Sequence, residues 1–327
     1  MKRALLILVV LLAVVAGTIG VTLGRPFQGF QTESFVEFPK GTGTMEMARR
    51  LADAGVIPTR WHLLAARALR PSQRWQAGEY RFHKAATVWE VADRLRRGDV
   101  YLVELRIPEG YNLYDVAAAI EQAGLVKAQA FLAEARHPSP IRDLAPQAPS
   151  LEGFLFPSTY HVPRKITAEA LCRLFTEQFR KEWKAAGGNG NVLATVTLAS
   201  LVEKETGAGE ERPIVASVYQ NRLQKGMKLD ADPTTIYAAM LEGVWRGTIY
   251  RSDLQRVHPY NTYAVAGLPP GPIANPGRAA IAAALRPATT EYLYFVAKGD
   301  GTRRHNFSKN YADHQRAVIA WRKGKGT

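Results

Sequence analysis

Two glutamates close an apolar run in "TLASLVEKETG" (Thr197 to Gly207). A carboxyl in the last turn of an apolar helix is suited to general-acid work. It faces the negative end of the helix dipole and lies against apolar neighbours, and both conditions favour its protonated form. Glu203 and Glu205 are two positions apart. On a helix their side chains therefore diverge by ~200° about the axis and cannot flank one bond. At most one of them is catalytic. Periodicity does not choose, because Val196 and Ala199 neighbour Glu203 while Leu198 and Leu201 neighbour Glu205. An ordinary solvated Glu-Lys-Glu helix end is the alternative.

Other residues could hold a substrate near such an acid. Tyr260, Asn261 and Tyr263 in "PYNTY" offer flat apolar faces and amide hydrogen bonds, or else form a packed aromatic loop. Asp232 in "DPT" can cap the helix that follows, with Pro233 at its first position. Glu152 in "LEG" either hydrogen-bonds substrate or braces the Glu203 helix. The stiff loop that starts at Leu268 and Pro269 and runs to Pro272 can wall a groove. Gln220 and Asn221 point at substrate amides or satisfy nearby backbone. His258, His305 and His314 lack metal-ligand spacing, so neither a metal nor a cofactor is expected.

The elements that must position these groups are legible in outline. "MARRLADAG" (Met47 to Gly55), "VADRLRRG" (Val91 to Gly98) and "VAAAIEQAG" (Val116 to Gly124) each read as an amphipathic helix stopped by glycine. Short β-type runs lie around them: "SFVEF", "GEYRFH" and the alternating "YLVELRIP". Further on, Thr167 caps a helix reaching Gly188, with Leu171, Phe175, Phe179 and Trp183 as its core stripe. A second helix runs from about Val192 to Thr206, burying Val196, Ala199 and Val202 and ending at Gly207 as a left-handed cap. A third begins near Glu211 with Pro213 in its first turn and stops at Gly226. A short helix from about Arg278 to Leu285 and a strand in "EYLYFVA" complete the reading.

The chain has 327 residues, 46% of them hydrophobic, which predicts two compact units. Its one cysteine, Cys172, rules out an intramolecular disulfide and a cysteine-based zinc site. From Ala4 to Leu23 there is no charge, and the run is long enough to span a bilayer core. Lys2 and Arg3 before it predict a cytoplasmic N-terminus and an exported remainder; a cleaved signal peptide is the alternative. The net charge of +14 suits an acidic lipid surface or an anionic polymer, and export argues against nucleic acid.

The stretch from Leu151 to His314 resembles the endolytic murein transglycosylase (MltG/YceG-like) family. The resemblance rests on "LEGFLFPSTY", "LASLVEKET", "VASVYQNRL", "DADPTTIY", "PYNTY", "GLPPGPIANPG", "YLYFVAKGDGTRRHNFS" and "DHQ". It implies an α+β fold with an N-terminal transmembrane helix, a small LysM-like α+β module and a larger α+β catalytic domain. The expected limits are 1–24 for the anchor, 25–33 for a linker, 34–134 for the module and its connecting helix, 135–150 for a second linker, and 151–327 for the catalytic domain. The resemblance assigns the catalytic acid to Glu203. It implies cleavage of the β-1,4 bond between N-acetylmuramic acid and N-acetylglucosamine inside glycan strands, leaving a 1,6-anhydro-muramyl end. One carboxyl then suffices: Glu203 protonates the glycosidic oxygen and then, as carboxylate, takes the proton of the muramyl C6 hydroxyl, which attacks in place of water. The implied partners are peptidoglycan strands, the inner membrane and peptidoglycan synthases, with a role in ending growing strands. The rivals are a muramidase-type hydrolase, which needs Asp232 or Glu152 as second carboxylate, and a catalytically silent peptidoglycan-binding scaffold.

Overall fold

The structure is a computed structural model that describes residues 17–324. Most of the expected span from Ala4 to Leu23 lies outside the described residues. Among the described residues no helix is long and apolar enough to cross a membrane. The described residues form two compact units that divide between Val103 and Glu104.

In the first unit, β1 (Ser34–Phe38) and β2 (Gly78–Phe82) pair antiparallel, with Ser34 opposite Phe82 and Phe38 opposite Gly78. Strand alternation puts Val36, Phe38, Tyr80 and Phe82 inside. Between the strands run α1 (Thr44–Asp53) and α2 (Arg60–Leu69), and α3 (Val88–Arg97) follows. Thr87 and Glu90 cap α3 reciprocally, and Gly98 ends it at φ 71°. The segment expected as a linker, residues 25–33, is instead an ordered strap. Phe27 exchanges backbone hydrogen bonds with Ala86 (3.0 and 3.2 Å), and Gly29 N–H donates to Gly55 O at 2.8 Å. Leu23 is fully buried and Phe30 packs on the same core. Apolar residues at 23, 27 and 30 give the strap something to bury, which a free linker lacks.

The second unit begins earlier than the proline-rich stretch suggests. Strand β3 (Val103–Ile107) pairs with β4 (Ser158–Val162). Helices α4 (Leu113–Gln122) and α5 (Ala128–Ala135) lead into residues 135–150. Those residues are not a loose linker: Ala135, Ile141, Ala145 and Ala148 are buried in the unit's core, and Leu151 N–H donates to Ala135 O at 2.8 Å. Prolines here shape tight turns between apolar anchors. Helix α6 (Ala168–Ala185) has its N-terminus capped by Thr167 and buries the stripe Leu171, Phe175, Phe179, Trp183, as its spacing predicts.

The chemistry-bearing part follows: α7 (Val192–Glu205), α8 (Arg212–Gln224), α9 (Asp232–Leu241), the short α10 (Arg251–Gln255) and α11 (Arg278–Leu285). An antiparallel hairpin of β5 (Tyr294–Ala297) and β6 (His305–Ser308) precedes α12 (Tyr311–Gly324). Helix α7 is the spine, packed against α8, α9 and α11. Val196, Ala199 and Val202 are fully buried. Its end departs from expectation. Gly207 is no left-handed cap; Thr206 is extended, and its hydroxyl accepts from Ala208 N–H at 3.0 Å, turning the chain by a side-chain device.

Candidate active site

The end of α7 and the ten residues after it build the centre of the site. Glu203 and Glu205 leave the last turn of α7 in different directions, as their spacing dictates. Glu203 is closed in. Its Oε1 accepts from Arg212 Nη2 at 3.1 Å, its Oε2 accepts from Gly277 N–H at 3.0 Å, and its side chain is only 6% exposed. Glu109, which sequence reasoning missed, lies against the same place: a side chain at Gly277 would collide with its carboxylate. Burial, and then the negative charge of Glu203, raise the Glu109 carboxyl above the ordinary range.

Glu205 faces an open cavity of about 420 Å³. Burial pushes its carboxyl up to about 7, against a hydrogen bond from the Tyr219 hydroxyl; the Asp232 charge adds to the rise. The cavity wall also includes Arg222, Asp230, Asp232, Tyr263, Tyr294, His305 and His314. A half-buried carboxyl that keeps its proton near neutrality, in a cavity with aromatic and hydroxyl groups, can protonate a leaving oxygen.

Each wall residue has an identifiable support. Arg222, on α8, donates from Nε to Leu293 O at 2.6 Å and from Nη1 to Leu229 O and Asp230 Oδ2 at 3.0 and 3.2 Å. Its guanidinium stacks over Tyr294 at 5.1 Å. Asp230 has φ 49°, a left-handed conformation that Asp tolerates better than most residues. The Tyr263 hydroxyl donates to Asp232 Oδ1 at 2.7 Å. Asp232 does not cap α9; it is the first helical residue, exposed, with its carboxylate turned to Tyr263 and the cavity. His314 stacks on Tyr294 at 5.1 Å, and its buried Nδ1 has no partner among the described residues.

Several expected substrate contacts are structural instead. Glu152 is 1% exposed and accepts from Leu113 N–H (2.8 Å), the Tyr237 hydroxyl (2.9 Å) and Asn275 Nδ2 (3.1 Å). It ties the start of α4 to α9 and to the loop before α11, outside the lining of the Glu205 cavity, and burial pushes its carboxyl up to about 8. Asn261 is equally buried. Its Nδ2 donates to Asp253, Leu254 and Arg256 carbonyls, and its Oδ1 accepts from Thr235 and Tyr263. It has no hydrogen-bonding capacity left for a sugar. Asn221 spans to Thr290 O and Tyr292 O at 2.8 and 2.9 Å, holding the hairpin to α8. Tyr260 packs on Tyr237 at 5.1 Å. Gln220 is exposed on α8, and Leu268 and the buried Pro269 pack in the loop; none of these lines the Glu205 cavity. Of the expected substrate residues, the structure brings Asp232 and Tyr263 to Glu205. Arg222 was absent from the sequence reading, and its cue is its place three residues after Tyr219 on one helical face.

The YceG-like family model matches residues 36–320. The endolytic murein transglycosylase of Bacillus subtilis is 31% identical to this chain, over 86% of this chain and 83% of that protein. A protein of the same name from Streptococcus pneumoniae is 28% identical over 86% of this chain, which spans 57% of it. A crystal structure of a yceG-like protein from Listeria monocytogenes has 29% identity and a TM-score of 0.57, covering 88% of this chain and 99% of its own. With a family match across nearly all the described residues, the chain belongs to the YceG-like family.

Proposed function

We propose that this chain is a peptidoglycan lytic transglycosylase and that Glu205, not Glu203, is its acid. The observation that carries the reading is the position of Glu205: it lines the cavity with a carboxyl held at about 7, while both Glu203 oxygens are engaged by Arg212 and Gly277. Glu205 protonates the glycosidic oxygen between N-acetylmuramic acid and N-acetylglucosamine. The muramyl C6 hydroxyl attacks the anomeric carbon and leaves a 1,6-anhydro end, so water is not consumed. Tyr263 and Asp232 supply hydrogen bonds to the sugar, and Tyr294 supplies a flat face. Glu203 is a positioning residue that fixes the helix end.

The relatives named endolytic murein transglycosylase support this substrate and this cut within strands. In the proposal, residues 4–23 anchor the chain in the inner membrane with both units outside the cytoplasm. The β1–α1–α2–β2 order supports a LysM-like, glycan-holding first unit. Termination of growing strands beside peptidoglycan synthases follows as the role. Asp232 in the same cavity keeps a hydrolase reading in view, since it is a second carboxylate.

Mass spectrometry of products from purified peptidoglycan tests the reading. Anhydro-muramyl ends that vanish in Glu205→Gln and persist in Glu203→Gln support it. Reducing ends lost in Asp232→Asn would make the chain a hydrolase. Loss in Glu203→Gln alone, with folding intact, would return the acid to Glu203.

A further inference from the structure

His305 is held in a way that packing alone does not require. Its ring Nδ1 lies 2.7 Å from Glu211 Oε2, and its backbone N–H donates to both Glu211 oxygens at 3.1 and 3.2 Å. The Glu211 and His305 side chains are 9% and 11% exposed. Phe295 meets the ring edge-on at 5.4 Å and Phe307 lies at 6.2 Å, so the plane is fixed from two sides. A carboxylate on Nδ1 keeps the proton there and leaves Nε2 with a lone pair. Nε2 makes no hydrogen bond among the described residues, and it is not one of the buried unpartnered atoms. His305 lines the cavity that Glu205 lines.

The two groups are also mechanically linked. Glu211 ends the turn Gly209–Glu211, six residues beyond Glu205. The next residue, Arg212, pins Glu203, and Arg304 beside His305 pairs with Glu210 at 2.7 Å. One short segment therefore sets the acid on one side and the histidine on the other.

We propose that the Glu211–His305 pair is the base of the reaction, accepting the proton of the muramyl C6 hydroxyl while Glu205 donates its own. This rests on the transglycosylase reading above. The C1–O4 bond breaks and Glu205 delivers its proton to the departing O4. The C1–O6 bond forms and the O6 proton passes to His305 Nε2. Glu205 then regains a proton, and His305 loses one, through solvent, so atoms and charge balance without a further reactant. Dividing the proton transfers between two groups lets O6 be activated while the acid is still protonated.

The test measures anhydro-muramyl product formation by the full-length chain in detergent micelles. His305→Gln, His305→Ala and Glu211→Gln are compared with Glu205→Gln, alongside each variant's thermal midpoint. The expected result is a ~10²-fold fall in kcat for both His305 variants with KM within about threefold, and a fall of roughly tenfold for Glu211→Gln. Added imidazole should restore part of the rate to His305→Ala. Wild-type kcat in His305→Gln overturns the proposal. So does a fall without imidazole rescue that tracks a lowered midpoint, since the ring is then only packing. An active Glu205→Gln would instead sink the underlying assignment of the acid.

Discussion

Glu203 and Glu205 share the last turn of one helix, and Glu203 is salt-bridged there: Arg212 Nη2 lies 3.1 Å from its Oε1. That ion pair sets the two carboxyls apart. A carboxylate held by a guanidinium and a backbone N–H is fixed in place. For its neighbour, burial and then the Asp232 charge favour the protonated acid, against the Tyr219 hydroxyl and Arg222.

Activity should therefore fall as pH rises through about 7, where Glu205 loses the proton it must donate. Removing the Asp232 charge removes one of the influences that raise this carboxyl. The alkaline limb of the kcat profile in Asp232→Asn should move to lower pH. A limb that stays in place would count against Glu205 as the titrating acid.

Glu203→Ala should cost about 2–3 kcal/mol, because it leaves a largely buried Arg212 and the Gly277 N–H without their acceptor. For a unit of this size that lowers the thermal midpoint by ~5–10 °C. Calorimetry or a denaturant curve checks it, and a change below ~0.5 kcal/mol would make the pair decorative.

Gly277→Ala should destabilise by less than ~1 kcal/mol, since the new methyl meets only the end of the exposed, flexible Glu109 side chain, which turns aside. The clash is removed if that carboxylate is gone. The Glu109→Ala/Gly277→Ala double variant should be more stable than the sum of the single losses predicts. Strict additivity in the cycle would contradict the close approach.

Glu152 makes stability depend on pH with a definite sign. Its carboxyl ordinarily titrates at 4.5 and in the fold at about 8. Between those values the folded chain keeps a proton that the unfolded chain has released, so stability falls as pH rises through that window. Glu152→Gln should flatten this decline. It should also cost ~1–3 kcal/mol at pH 5, because the amide nitrogen replaces one acceptor among donors from Leu113, Tyr237 and Asn275. Thermal midpoints of both proteins from pH 5 to 8 decide it.

The helices were legible wherever their residues report a local period. The stripe from Leu171 to Trp183 and the stop glycines Gly55, Gly98 and Gly124, all with positive φ, are of this kind. The different settings of the two glutamates were not legible. That of Glu203 depends on Arg212, nine residues on, and Gly277, 74 residues on, and no periodicity encodes such partners. Asn261 and Asn221 misled for a related reason. An amide reads the same in sequence whether it faces a sugar or three carbonyls, and only the tertiary fold fills its hydrogen-bonding capacity. Residues 135–150 misled because prolines signal turns, and turns occur inside a core as well as between domains.

The strap that seats Leu23, Phe27 and Phe30 against the first unit removes a leash. A free chain of about ten residues would let that unit wander over a radius of ~16–19 Å. Bonded at Phe27 and Gly29, it has no slack to spend, and the first unit must follow every tilt and turn of the helical segment at residues 17–24. Segment and unit therefore keep one bearing, as a bracket fixes a lamp to a wall.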